Sequence, residues 1–341
     1  MRIAIDVMGG DNAPAAILAG SLDAMSLLSP DDRMVLIGDR AAIEAGIAER
    51  GMASDARIEI EPTTQVIGMD ESPVAALREK EDSSLVRWAQ MGSKRAGDRR
   101  CDAIISAGNT GACVAGAQMY MRRLPGVHRP GIAVTIPTFY GPIVVCDVGA
   151  NPEPRPTHLH QYAHMASIYA NRIMGIETPK VALLSIGSEE SKGNSMVKDT
   201  AKLIRNDQRL NYVGYVEGRE LFEGKANVIV TEGFTGNVVL KLAEGLSMGL
   251  IKTITREIMT VDPELAKRFE PVVRGIYRKH DYHEYGGAPL MGANGICLKC
   301  HGSSEARTIV AAVKAAMRFV SLNVNEAIVE ALADTVTETA A

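Results

Sequence analysis

Three short segments carry the residue types that hold anions. They are Ser106-Ala107-Gly108-Asn109-Thr110-Gly111, Ser185 to Asn194, and Glu232-Gly233-Phe234-Thr235-Gly236-Asn237. Each follows an apolar run and opens a stretch with helical character. Small residues permit a tight turn there, and a helix start offers unpaired N–H groups to an anion. Asn109, Thr110, Thr235 and Asn237 can add side-chain donors, although Asn or Thr at such a position also serves as a plain helix cap. The third residue type is a cation: Lys192, followed by Gly193 and Asn194, sits beside backbone donors in a combination that suits phosphate. A solvated loop lysine is the ordinary alternative.

Other groupings point less firmly. Asp6 and Asp11 flank Gly9-Gly10 and could pair on Mg²⁺, but Asp11 or Asn12 as the cap of a helix starting near Pro14 is the favoured reading. Cys297-Leu298-Lys299-Cys300-His301 has the C-x-x-C-H spacing of haem attachment or half a zinc site. The remaining cysteines stand alone at 101, 113 and 146, so buried structural thiols are expected instead. His158, His160 and His164 lack the Glu of H-E-x-x-H and are read as an exposed helix face. No metal and no cofactor is expected. There is no Walker A segment, no G-x-G-x-x-G after the first apolar run and no G-x-S-x-G elbow, so neither nucleotide binding nor a hydrolase triad has an anchor.

The elements that must position these residues are legible from periodicity. Strands are expected at 2–8, 33–38, 57–61, 101–106, 131–136, 142–148, 180–186, 212–216, 226–231 and 294–299. Helical stretches are expected at 14–28, 40–50, 73–95, 111–123, 157–174, 194–206, 236–260 and 303–333. Continuous apolar runs such as Ile143-Val144-Val145-Cys146 indicate strands buried on both faces, hence a mostly parallel sheet covered by helices. Many of the 32 glycines fall where strands end, the edge at which open α/β sheets bind ligands. Residues 250–291, with Tyr277, Tyr282 and Tyr285, read as an insertion outside the sheet. Val239, Leu242, Leu246, Leu250 and Ile254 form a helical stripe expected to face the core or a second copy; membrane-surface contact near Lys252, Arg256 and Ile258 is the sharper alternative.

Composition narrows the classes further. With 341 residues and 46% hydrophobic content the chain can bury a large core. A net charge of −4 and 4% aromatics provide neither a basic field nor a stacking platform, so no nucleic-acid partner is expected. No apolar run reaches the roughly 20 residues of a membrane span. The first residues do not read as a signal peptide, and five thinly spread cysteines suit a reducing compartment. A cytoplasmic location is therefore expected.

The opening Ile5-Asp6-Val7-Met8-Gly9-Gly10-Asp11-Asn12-Ala13-Pro14 resembles the N-terminal signature of the bacterial phosphate acyltransferases of phospholipid synthesis, the PlsX family. The resemblance continues through Met69 to Pro73, Ala76-Leu77-Arg78, Asp82-Ser83-Ser84, Ser106 to Gly111 and Gly149-Ala150-Asn151. It then runs through Leu184 to Asn194, Gly233 to Asn237, Glu244-Gly245, Gly286-Gly287-Ala288 and His301-Gly302-Ser303-Ser304. It implies a single α/β/α sandwich over residues 1–341, with a mostly parallel central sheet like that of phosphotransacetylases and isocitrate dehydrogenase-like proteins. A helical insertion is expected around 245–285, and the chain would assemble as a homodimer. The implied reaction joins an acyl group from acyl-[acyl-carrier-protein] to inorganic phosphate without a covalent enzyme intermediate. The product would feed a membrane glycerol-3-phosphate acyltransferase, with peripheral contact at the inner face of the membrane.

On that pattern Lys192 and Asn237 are the catalytic candidates. Gly10, Asp11, Ser106, Asn109, Thr110, Gly111, Gly193, Asn194, Thr235, Gly236, His301, Gly302 and Ser303 are the binding candidates. His301 would assist proton transfer or touch the pantetheine arm. An acidic carrier protein calls for a basic patch, for which Arg95, Arg99, Arg100, Arg122, Arg123 and Arg129 are candidates. The chain departs from the pattern at Glu232, where Asp is expected, at the Pro- and His-rich stretch 152–160, and at Cys300. The rival readings are a phosphotransacetylase using acyl-CoA, a metal- and NAD-dependent decarboxylating dehydrogenase, and a membrane-surface scaffold that recruits a lipid acyltransferase.

Overall fold

The computed structural model of the chain describes residues 1–279 and 285–338. Its strands are β1 (Arg2–Asp6), β2 (Arg33–Gly38), β3 (Ile58–Pro62), β4 (Ala103–Ser106), β5 (Gly131–Ile136), β6 (Ile143–Cys146), β7 (Lys180–Leu184), β8 (Asn211–Val216), β9 (Val228–Val230), β10 (Ala288–Met291) and β11 (Ile296–Lys299). They form one 11-stranded sheet in the order β3-β2-β1-β4-β11-β10-β5-β6-β9-β7-β8. Among the described residues, the pairings are parallel except β11·β10, β10·β5 and β5·β6. Two parallel blocks of opposite direction thus meet at a central reversal.

The helices are α1 (Ala15–Asp23), α2 (Arg40–Glu49), α3 (Pro73–Glu79), α4 (Ser84–Met91), α5 (Thr110–Gly116), α6 (Pro156–Arg172), α7 (Ser195–Asn206), α8 (Gly233–Val261), α9 (Pro263–Lys279), α10 (Ala306–Ser321) and α11 (Val324–Glu338). Strand side chains alternate between two cores. Ile3, Ile5, Leu36, Ile105, Val144, Leu183 and Val230 pack with α1, α2, α6, α7, α10 and α11. Ala4, Val35, Ile37, Ile104, Val145, Ala182 and Ile229 pack with α3, α4 and α5. Burial on both faces is why these strands read as unbroken apolar runs. The expected three-layer sandwich is the one that forms.

Several expectations need correction. β10 escapes periodicity because it is four residues long and holds Pro289, which can accept but not donate in the ladder. The stretch 73–95 divides because Ser83 caps a new helix, its hydroxyl accepting from the Val86 N–H. The stretch 303–333 divides at Asn323, which takes a left-handed φ of 48°. Residues 263–279 form α9 packed against α8, although Pro271 lies inside it. The segment expected at 245–285 is therefore helical as far as it is described; its part at 280–284, with Tyr282, lies outside the described residues. The cap expected at Asp11 or Asn12 does not form. The Asn12 amide instead donates to the Ser303 and Ser304 carbonyls, at 3.1 and 3.2 Å.

Nor do the histidines form an exposed face. His164 is 4% exposed, and it and His160 both reach Asp207. Burial pushes the His164 imidazole down to about 4, against the pull of Asp207. The stripe on α8 differs in the other direction. Val239 packs on the core, but Leu242, Leu246, Leu250 and Ile254 lie about half exposed. A core-facing role is thereby overturned for those four. No helix among the described residues is long and apolar enough to cross a membrane.

All five cysteines are buried. Burial pushes the Cys101 and Cys300 thiols up to about 12 and Cys113 to about 11. Thiolates, not thiols, are the reactive form. Thiol titration with a disulfide reagent should therefore detect no fast-reacting cysteine in the folded chain and all five after denaturation. The start of α8 is set by contact with the end of β6. A Cβ on Gly236 would lie 1.9 Å from the Asp147 carbonyl oxygen, a backbone atom that cannot step aside. Gly236→Ala is expected to destabilise the chain by about 3 kcal/mol, the upper range for overpacking, readable as a lowered urea midpoint.

Candidate active site

Register sets the first half of the site. Asp6 pairs with Ser106, and Ser106 with Lys299, so the three stand abreast at the ends of β1, β4 and β11. Asp6 is buried and accepts from the Ser106 hydroxyl at 2.7 Å, and that hydroxyl accepts from the Gly108 N–H at 3.0 Å. Burial raises the Asp6 carboxyl above its usual range, while Ser106, Ser84, the Met8 N–H and Lys299 pull it back. Lys299 extends its ammonium group to the Ala107 and Cys300 carbonyls. The turn 106–111 is thus clamped from below. Asn109 completes the clamp: its carbonyl caps α5 at Ala112, and its amide donates to the carbonyls of Gly68, Met69 and Glu71.

A second buried carboxylate sets the other half. Asp147 accepts from the N–H groups of Ile132, Gly149, Ala150 and Asn151. Burial raises its carboxyl, and these four donors oppose the rise. The turn it organises carries Gly149 beneath Asn237 and presses Asn151 against Gly233. α8 starts there, capped by Glu232, whose carboxylate takes the Phe234 and Thr235 N–H groups and the Thr235 hydroxyl. The α8 start is therefore already satisfied by its own acid. Asn237 and Lys241, four residues apart and on one helix face, are the groups it presents outward.

Between the halves lies a cavity of about 120 Å³. One wall is apolar, from Ile132, Val134, Val148, Leu240 and Ala288. Its rim is polar, from Thr110, Asn237, Lys241, Glu244, Lys299 and His301. Lys241 Nζ lies 2.8 Å from His301 Nε2 and 2.9 Å from a Glu244 carboxylate oxygen. His301 Nδ1 lies 2.8 Å from the Ser303 hydroxyl. Two cations beside an amide and an imidazole can hold an anion, and the apolar wall can receive a hydrocarbon chain.

The sequence-predicted residues do not all meet in one place. Thr110, Asn237 and His301 line the cavity. Gly10 and Asp11 abut Gly302: the Asp11 N–H donates to the Gly302 carbonyl at 2.7 Å, and Gly10 has a φ of 106° beneath that oxygen. Ser303 adjoins the cavity through its bond to His301, and Gly111 packs on Pro73. Ser106 and Asn109 are buried and hydrogen-bonded within the turn and to its neighbours. Thr235 is spent on the cap and Gly236 on the close approach to Asp147. Lys192 is exposed, its stem lying over Gly187, and it does not line the cavity. Gly193 and Asn194 share its loop after β7, where Asn194 caps α7 and the Ser185 hydroxyl is buried without a hydrogen-bond partner. Among the arginines expected to form a patch, Arg99 pairs with Glu61 and Arg100 with the Gly92 and Asn294 carbonyls; none of the six lines the cavity.

Sequence reasoning missed Lys241 and Lys299. The i, i+4 spacing of Lys241 from Asn237 was available in the sequence. Lys299 was hidden inside the C-x-x-C-H spacing, where the cysteines drew attention to themselves.

The family described as "Fatty acid synthesis protein" matches residues 1–327. Curated relatives named "Phosphate acyltransferase" include one from Heliobacterium modesticaldum, 43% identical over 97% of both chains. Another, from Moorella thermoacetica, is 42% identical over 98% of this chain and 95% of its own. Among solved structures, a phosphotransacetylase from Streptococcus pyogenes superposes with a TM-score of 0.61 at 17% identity, covering 96% of this chain and 94% of its own. The EutD phosphotransacetylase from Staphylococcus aureus gives 0.58 at 16%, with the same coverage. At such low identity these two show the fold alone. With the sequence match running along nearly its whole length, the chain is an acyltransferase belonging to the phosphate acyltransferase (PlsX) family.

Proposed function

We propose that this acyltransferase moves a long-chain acyl group from an acyl-carrier-protein thioester to inorganic phosphate, for phospholipid synthesis, and that the whole chain acts as one catalytic domain. The observation that carries this reading is the cavity with an apolar wall and a rim of Lys241, Lys299, Asn237 and His301. A phosphate oxygen attacks the thioester carbonyl carbon, the C–O bond forms, and the tetrahedral oxyanion collapses as the C–S bond breaks and the carrier thiolate leaves. A thiol of pKa about 8.5 leaves without strong acid assistance. By analogy with phosphate monoesters, whose second pKa is about 6, much of the phosphate already carries a nucleophilic oxygen at neutral pH.

What the chain supplies is placement and charge. Lys241 and Lys299 hold phosphate, and the Asn237 amide donates to the developing oxyanion. Glu244 orients Lys241. Lys192, on the loop beyond β7, is the further cation assigned to the reaction. His301 meets the thiolate or the pantetheine arm. The buried thiols, pushed far up by desolvation, support direct attack without a cysteine-bound intermediate.

Incubation with acyl-carrier protein bearing a long acyl group, with and without phosphate, followed by hydroxylamine trapping, tests the reading. Phosphate-dependent acyl hydroxamate is expected from the carrier-bound donor. Equal or better turnover with acyl-CoA would favour a phosphotransacetylase, and vesicle binding without turnover a scaffold. Asn237→Ala and Lys192→Ala should each lower kcat on the order of 100-fold, the usual loss for one oxyanion donor. Near-normal turnover in Lys192→Ala would remove that residue from the mechanism.

The exposed row Leu242, Leu246, Leu250 and Ile254 supports a homodimer in which a second copy covers it. Met259, Val261 and Leu265, at the α8–α9 corner, suit peripheral contact with the inner face of a membrane that carries a glycerol-3-phosphate acyltransferase. Light scattering should give twice the mass of one chain, and Leu246→Asp with Leu250→Asp should shift it toward one. A mass of one chain in the unaltered protein would discard the dimer.

A further inference from the structure

We infer that the chain holds one divalent transition-metal ion of the zinc class between His160, His164 and Asp207, where α6 meets the α7–β8 connection. The three residues come from two elements. His160 and His164 are one helical turn apart on α6, which places both imidazoles on one face. Asp207 is the residue that ends α7. Both His Nε2 atoms converge on the same carboxylate oxygen, Oδ2, at 3.0 Å from His160 and 2.7 Å from His164. The donor atoms of all three residues lie within 4.8 Å of one another.

The spacing matches what such an ion needs. Bonds of about 2.0–2.2 Å in a tetrahedral arrangement hold donors roughly 3.3 Å apart, so the two imidazole nitrogens, now 3.0 and 2.7 Å from the carboxylate oxygen, need to draw back from it by only about 0.3 and 0.6 Å to admit the ion. The ion then takes the place of the two Nε2 protons, and each imidazole carries its proton on Nδ1. Two imidazole nitrogens with one carboxylate oxygen suit Zn²⁺, Co²⁺ or Ni²⁺ rather than the oxygen-seeking Mg²⁺ and Ca²⁺.

The surroundings fit the same reading. Arg209 donates from Nε to Asp207 Oδ1 at 2.8 Å, and its backbone N–H reaches the same oxygen at 3.1 Å. This is the outer support that fixes a ligating carboxylate. Its Nη2 also reaches Oδ2, at 2.7 Å, and that one contact yields to the ion. Beside Asp207 opens a cleft of about 250 Å³ lined by Arg205, Gln208, Leu210, Tyr212 and Gly214, with room for a water as fourth ligand. The Tyr212 hydroxyl on that cleft is buried without a hydrogen-bond partner.

The ion would be a staple, not a reagent. None of its three ligands lines the acyl-phosphate cavity. It would join the middle of α6 to the end of α7. Between the two histidines in sequence and on the opposite face of α6, the Tyr162 hydroxyl accepts from the Asn151 amide beside the Asp147 turn.

The test uses the full chain without a polyhistidine tag, stripped by chelator and titrated with Co²⁺ as the probe. One Co²⁺ per chain, a visible absorption band of a nitrogen- and oxygen-ligated ion, and its displacement by Zn²⁺ are expected. At a hundredfold excess over Kd, Zn²⁺ should raise the melting temperature by about 4 °C. His160→Gln, at a half-buried position, should keep the fold by circular dichroism yet lose both the band and the thermal shift; His164→Gln should do the same where it folds. Absence of saturable Co²⁺ binding, an unmoved melting temperature, or an unchanged band in His160→Gln would each overturn the proposal.

Discussion

Two carboxylates taken out of water control the geometry of this chain. Asp6 and Asp147 lie at and just beyond the ends of β1 and β6, one in each parallel block, and both are buried. A carboxylate in such a place is tolerable only when its oxygens are bonded. Asp6 meets that need through Ser106 and the Met8 N–H, and Asp147 through four backbone N–H groups. The same bonds that stabilise the acids define the turns that follow. The turns at 106–111 and 147–151 are therefore rigid before any ligand arrives, as charge stabilisation by a preorganised site requires.

The reversal at the centre of the sheet explains how these turns can serve one cavity. In a flat sheet, the ends of β4 and β9 would point to opposite edges. Adjacent strands rotate by roughly 20–25°, and five steps separate β4 from β9 in the sheet order. The accumulated rotation of about 100° or more brings the turn after β4, the turn after β11 and the start of α8 onto one hollow. β10, antiparallel to both neighbours, supplies the floor through Ala288.

α8 divides its labour along its length. Its first turn is satisfied by Glu232, its second and third offer Asn237 and Lys241 to the cavity, and its outer half presents apolar side chains to the exterior. The acid at its start occupies helix-end N–H groups, so side chains are the donors this edge offers to the cavity. Lys241 and Lys299 on the same rim have carbonyl, carboxylate or imidazole partners nearby and so point in defined directions.

Periodicity in the sequence determined the layers, ten of the eleven strands among the described residues and the loops where polar side chains gather, because both-face burial leaves continuous apolar runs and turns leave glycine. Motif order along the chain determined the family. Local pattern could not show β10, whose pairing rests on partners far away in sequence, or α9, whose prolines mimic a break. It could not decide whether Ser106 and Asn109 bind or position, since a hydroxyl or amide next to glycine serves either end, and only the contacts with Asp6 and with residues 68–71 assign them inward. Lys299 became a rim cation, and His164 a buried partner of Asp207, through contacts across strands and helices that no spacing encodes. Types and order are written in the chain; which polar groups meet is decided by the twist and packing that bring distant segments together.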